Sequence, residues 1–75
     1  MPKLRNISGA EVVQALKRLG FQSVRQRGSH VVLRKIKPDG DSGCVVPLHA
    51  HLAIGTLRGI LRQAQITVEE FMANL

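Results

Sequence analysis

Aromatic residues are almost missing from this chain: there are two Phe, no Tyr and no Trp. A sheet that holds unpaired bases by stacking them on rings, as an RRM domain does, cannot be built from that inventory. Cysteine is equally scarce. Cys44 is the only one, so no internal disulfide forms, and a reducing cytoplasm is the expected compartment. As a lone thiol in a run of strand-forming residues, Cys44 reads as a small core filler rather than a nucleophile. No apolar run is long enough to span a bilayer. The opening Met1-Pro2-Lys3-Leu4-Arg5 lacks the apolar stretch of a secretion signal, so no membrane association is expected. Acidic residues are also few, five against eleven Lys and Arg, for a net charge of +6. That excess on a small body favours a polyanionic partner, nucleic acid or an acidic protein. With no rings to stack on, a polyanion would be held through its backbone.

What is present fits one domain spanning residues 1–75, near the lower size limit for folding without staples. The most informative stretch is Arg25-Gln26-Arg27-Gly28-Ser29-His30-Val31-Val32-Leu33-Arg34. It reads as two strands joined by a type II′ turn at Gly28-Ser29. That turn sets Arg27 opposite His30, Arg25 opposite Val32 and Val24 opposite Leu33. Opposed residues share a face and faces alternate along a strand. One face then carries Val24, Val31 and Leu33; the other carries Arg25, Arg27, His30 and Arg34.

Around this hairpin the chain reads in order. Met1 to Ile7 is a basic, loosely ordered lead-in. Ser8 and Glu11 have capping-box spacing, and Val12, Leu16 and Leu19 recur with helical period. Gly20 suits the position after a helix end, with Phe21 folding back on Leu16. Lys37 to Gly43 is a loop. Cys44 to His49 is a third strand, with Pro47 at an edge or an end. Centring the loop near Gly40 sets Leu33 opposite Val46, Val31 opposite Leu48, and His30 opposite or nearly opposite His49. A second helix starts with Thr56 as its N-cap and presents Leu57, Ile60, Leu61 and Ala64. Gly59 lies inside it, and close packing on the sheet would account for a glycine there. Thr67 and Glu70 cap a short last helix. The order α-β-β-β-α predicts an α+β fold: a three-stranded antiparallel sheet with helices on one face, over Val24, Val31, Leu33, Val46 and Leu48. The basic face with both histidines stays open.

His30 is the leading candidate for chemistry. RNA cleavage needs proton transfer at the 2′-hydroxyl and at the leaving oxygen, and positive charge for the phosphate. An imidazole among Arg25, Arg27 and Arg34 meets those needs without a metal or other cofactor. His49 is an accessory candidate. His49-x-His51 has a spacing seen in metal sites, but nothing completes a ligand set. The amides at the Thr56 helix start, with Arg58 nearby, form a candidate phosphate site. Ser29 has no orienting carboxylate for a nucleophilic role and reads as a turn residue. Lys3, Arg5, Lys35, Lys37 and Arg62 read as solvated charges.

Four segments together resemble the HicA (YcfA-like) toxins of bacterial type II toxin–antitoxin pairs. They are Ser8-Gly9 with the helix to Leu19-Gly20-Phe21; Val24-Arg25-Gln26-Arg27-Gly28-Ser29-His30; Val46-Pro47-Leu48-His49; and Gly55-Thr56-Leu57-Arg58-Gly59-Ile60-Leu61. The resemblance implies a double-stranded-RNA-binding-domain-like fold and an mRNA interferase, an endoribonuclease. It implies that the histidine of Gly-Ser-His, here His30, is catalytic and that His49 matches the histidine of Val-Pro-x-His. Ser29 would then lie in the RNA-contacting motif. It also implies neutralisation by a HicB antitoxin covering the active face. The second strand, Val31-Val32-Leu33-Arg34-Lys35, lacks the extra histidine or aromatic of some members, a departure that bears on substrate preference. Two other readings keep the basic face: a non-catalytic double-stranded-RNA-binding module, and a protein-interaction domain for an acidic partner.

Overall fold

Ser8 opens the first helix by a reciprocal cap. Its hydroxyl accepts from the Glu11 amide at 3.1 Å, and the Glu11 carboxylate accepts from the Ser8 amide at 3.0 Å. In the computed structural model, which describes residues 6–75, the elements run α1 (Gly9–Arg18), β1 (Gln22–Arg27), β2 (His30–Lys35), β3 (Ser42–Pro47), α2 (Ile54–Ala64) and α3 (Val68–Ala73). The expected α+β order is the one observed: three antiparallel strands in the order β1-β2-β3, with one face packed under the helices. The lead-in expectation for Met1 to Arg5 falls outside the described residues. Ile7, at its end, is buried, and its carbonyl accepts from the Leu52 amide at 2.8 Å.

α1 ends as its sequence predicts. Gly20 takes a φ of 101°, and the Phe21 amide reaches back to the Leu16 carbonyl at 3.0 Å. That paired return satisfies two of the helix's last carbonyls. Lys35 is not simply solvated; its ammonium donates to the Leu19 carbonyl at 2.8 Å. α2 ends at Gln65 in the left-handed region, φ 59°, without a glycine. The Gln65 side chain offsets that strain by accepting from Lys37 at 2.9 Å and from buried Ser42 at 3.2 Å.

The hairpin has the expected two-residue turn. Gly28 has φ 55° while Ser29 does not turn positive, the type II′ pattern, and Arg27 faces His30. Val24 departs from expectation. A bulge between Ser23 and Arg25 sets Ser23, not Val24, opposite Leu33, and Val24 is 54% exposed. β1 is an edge strand whose six residues are all exposed, so no core contact enforces alternation there.

The third strand also slips. It pairs Leu33 with Cys44, Val31 with Val46 and His30 with Pro47, two residues from the expected register. A slip of two keeps every side chain on its expected face. Leu48 therefore lies beyond the ladder and is 37% exposed rather than covered. Pro47 has no N–H to extend the strand. The chain turns there, with the Leu48 amide donating to the Ser29 carbonyl at 2.6 Å and the His49 carbonyl accepting from the Gly9 amide at 2.9 Å.

The core beneath the sheet holds Val12, Leu16, Leu33, Val46, Leu57 and Phe71, all fully buried. Cys44 is buried among them, and burial pushes its thiol up to about 11 from an ordinary value of 9.0. A pKa raised in the folded state means stability that is intact below pH ~9 and lost as pH rises through ~11. Denaturation midpoints of the native chain should fall across that window, and Cys44→Ala should flatten that part of the slope. Equal slopes in both would show that Cys44 contributes nothing to it.

α2 starts at Ile54 with Ala53 in the cap position, so Thr56 is not the N-cap. The segment after His49 enters the helix directly and brings the first turn forward. Gly59 does not touch the sheet, since a Cβ there would meet nothing within 4 Å. Its φ is not positive, so its only effect is the helix penalty of glycine. Gly59→Ala should stabilise the fold by about 0.5–1 kcal/mol, read as a raised denaturation midpoint. A lowered midpoint would mean the backbone there needs glycine.

Candidate functional site

Register organises the open face of the sheet into cross-strand rows. The first runs Arg27, His30, Pro47; the second Arg25, Val32, Val45; the third Gln22, Arg34, Gly43. Facing pairs share a face, so Arg25, Arg27, His30 and Arg34 all project away from the helices. All four are exposed. His30 therefore stands in solvent among guanidinium-bearing residues, not beneath the core.

His49 reaches the same place by another route. It lies two residues past the end of β3, yet its ring centroid is 6.5 Å from that of His30, with the planes at 75°. Backbone contacts hold it there. The Leu48 amide bonds to Ser29 and the His49 carbonyl bonds to Gly9, tying the turn before His30 to the segment after Pro47. The Gln26 side-chain amide donates to the Gly28 carbonyl at 3.2 Å and braces that turn. Ser29 is exposed in the turn, where its carbonyl, not its hydroxyl, makes the bond to Leu48.

The electrostatics of this face are one-sided. The strands contain no Asp or Glu; the five acids sit in α1, the β2–β3 loop and the start of α3. Among these acids, the Glu70 carboxyl lies below the usual range, chiefly through the Thr67 backbone and hydroxyl bonds. That is α3 capping and belongs to the fold.

Thr56 and Arg58 are exposed in the first turns of α2. Thr56 is the third helical residue. The Leu57 amide makes the first intrahelical bond, to Ala53 at 2.9 Å, so the amides of Ile54, Gly55 and Thr56 have no acceptor within the helix. No side chain caps this end and no acid lies in its first turn. Among the described residues, neither Thr56 nor Arg58 bonds to the histidine-bearing segments. His51 is exposed, and among the described residues no group of three or more His, Cys, Asp or Glu is gathered to hold a metal.

Two contributors were not legible in the sequence as site residues. Gly9 holds His49 through its amide, and a Cβ there would fall onto the Pro47 carbonyl. A glycine at the first position of a helix, where it costs helix stability, was the available signal. The Val32–Val45 pair forms an apolar floor in the middle of the basic face, with Val45 43% exposed. Only the β2–β3 register reveals that pairing.

No helix is long and apolar enough to cross a membrane among the described residues. No curated protein matches the chain. A family model does: the HicA toxin of bacterial toxin–antitoxin systems, over residues 9–66, which include every element from α1 to the end of α2. The chain therefore belongs to the HicA toxin family, and it is the toxin of a toxin–antitoxin system, with an antitoxin as partner.

Proposed function

We propose that this toxin is a metal-independent endoribonuclease that cuts mRNA in the cytoplasm, with His30 as general acid or base. The observation that carries the reading is an exposed imidazole pair, His30 and His49, 6.5 Å apart on a face with arginines and no carboxylate in its strands. One imidazole takes the proton from the 2′-hydroxyl as its oxygen attacks phosphorus. A protonated imidazole gives a proton to the departing 5′-oxygen. The products are a 2′,3′-cyclic phosphate and a 5′-hydroxyl end. Arg25, Arg27 and Arg34 hold the ribose-phosphate chain along the face, and Arg27, opposite His30, stabilises charge on the reacting phosphoryl oxygens. Ser29, Thr56 and Arg58 add phosphate contacts at the turn and at the uncapped helix start.

The test is incubation of purified toxin with long RNA in EDTA. Cleavage to cyclic-phosphate ends is expected, and intact RNA at high enzyme would overturn the proposal. Binding without cleavage would instead favour a non-catalytic double-stranded-RNA-binding module. The arginine assignment has its own readout. Arg25→Ala should weaken RNA binding across sequences alike and reduce the log–log salt slope by about 1. An unchanged slope would remove Arg25 from the phosphate path.

The partner reading is a HicB-type antitoxin whose acidic surface covers the same face. Its chemistry is that of RNA seen from this side: negative charge laid over Arg25, Arg27 and Arg34. The toxin then binds antitoxin or substrate, not both.

A further inference from the structure

Two aliphatic side chains stand in solvent beside a guanidinium, at the end of the sheet away from the histidines. Val24 is 54% exposed and Ile36 79%. With Gly20, Gln22 and Arg34 they line a cleft of about 180 Å³. The bulge creates this cleft. In unbroken register Val24 would face Leu33 on the covered side; the extra residue turns it toward Arg34. Gly20, at φ 101°, closes one wall without a side chain.

The chemistry of the lining is selective. Val24 and Ile36 offer apolar walls. Gln22 both donates and accepts, and Arg34 only donates. That set suits a planar group with apolar faces and a hydrogen-bonding edge, which describes a nucleobase free of its stack and its pair. Two of its residues, Gln22 and Arg34, form a cross-strand row of the same face that carries Arg25 and Arg27, where the strands hold no carboxylate, so a polyanion laid along that face passes the cleft. His30 and Arg34 are four residues apart along β2, about 13 Å. Between them lies the apolar floor of Val32 and Val45.

Resting on the reading of the His30 face as ribonucleolytic, we infer that the Val24–Ile36–Arg34 cleft seats an unpaired base of the RNA substrate, a few nucleotides from the bond cut beside His30. A base within a duplex cannot enter, because its faces are stacked and its edge is paired. The substrate class is thereby RNA that is unpaired across the whole span from His30 to Arg34.

The experiment uses synthetic unpaired RNA oligonucleotides sharing one cleavable bond and lengthened stepwise on either side. Wild type is compared with Val24→Ser and Ile36→Ser, both at exposed positions outside the core. In wild type, kcat/KM should rise about five- to tenfold once the chain is long enough to reach the cleft and bury a base face against its aliphatic walls. Both variants should lose most of that step through KM, with kcat on the shortest cleavable oligonucleotide unchanged. A paired duplex of the same sequence should show no step. A step of equal size in the variants, or none in wild type, overturns the inference while the ribonuclease reading stands. If no oligonucleotide is cut, that reading fails, and the same length series followed by fluorescence anisotropy still decides the seat: a step in affinity lost in the variants supports it, and none refutes it. An unchanged step together with lost antitoxin binding would assign the cleft to the protein partner instead.

Discussion

His30→Ala should slow RNA cleavage by about 10²–10⁴-fold, the range for removing a general acid or base. Binding should hardly change, because the role proposed for His30 is proton transfer and that proposed for Arg25, Arg27 and Arg34 is charge. The fold should also survive, since His30 is exposed and buries nothing in the core. The measurement is single-turnover cleavage of long RNA in EDTA, beside a denaturation curve for the same variant. A folded His30→Ala that cuts as fast as wild type would falsify the assignment. His49→Ala separates two versions of the chemistry. If the two imidazoles divide the proton transfers, the wild-type rate is bell-shaped in pH and His49→Ala removes one limb. If His30 serves both steps, the profile keeps its shape and only the rate falls. In cells, wild type expressed without its antitoxin should arrest growth, and His30→Ala should not.

Gly9→Ala is the second large effect, and its sign is set by two opposed magnitudes. Alanine is favoured over glycine inside a helix by about 1 kcal/mol. Against that, the new Cβ would fall on the Pro47 carbonyl oxygen and lie 2.8 Å from the Leu48 Cα. Those are backbone atoms of the strand end and cannot swing aside like a side-chain tip. Overpacking of this kind costs about 1–3 kcal/mol or more, and the upper end applies where the neighbour is backbone. A chain of this length has roughly 4–11 kcal/mol of stability in all. Gly9→Ala should therefore lower Tm by more than about 10 °C. Gly9 is also the donor that holds the His49 carbonyl at 2.9 Å. A parting of α1 from the strand end moves His49 away from His30, so cleavage should fall beyond the loss of folded protein. Calorimetry on Gly9→Ala and Gly59→Ala makes the contrast: one glycine is required by a close approach, the other by nothing around it. A Tm for Gly9→Ala at or above wild type would show that α1 does not press on Pro47.

The same contrast shows where local chemistry is enough. Ser8 with Glu11, and Thr67 with Glu70, cap their helices by bonds spanning three residues, so the sequence carries the whole interaction. The turn at Gly28-Ser29 is equally local. It alone puts Arg27 against His30, and so one histidine among arginines. The first turn of α2 is not local. Thr56 has the side chain of a cap, yet the segment after His49 delivers Ala53 to that position and leaves the helix start bare.

Sequence by itself determined the α+β order, the capped helices, the hairpin and the face on which His30 stands, because each rests on bonds or periodicities a few residues long. Tertiary structure alone decided the rest. The bulge that exposes Val24, the two-residue slip that pairs Cys44 with Leu33, and the seat of His49 depend on contacts distant in the chain. Strand pairing is degenerate to steps of two residues, since such steps keep every side chain on its face. That degeneracy is lifted only when Pro47 ends the ladder and the Gly9 amide grips the carbonyl of His49.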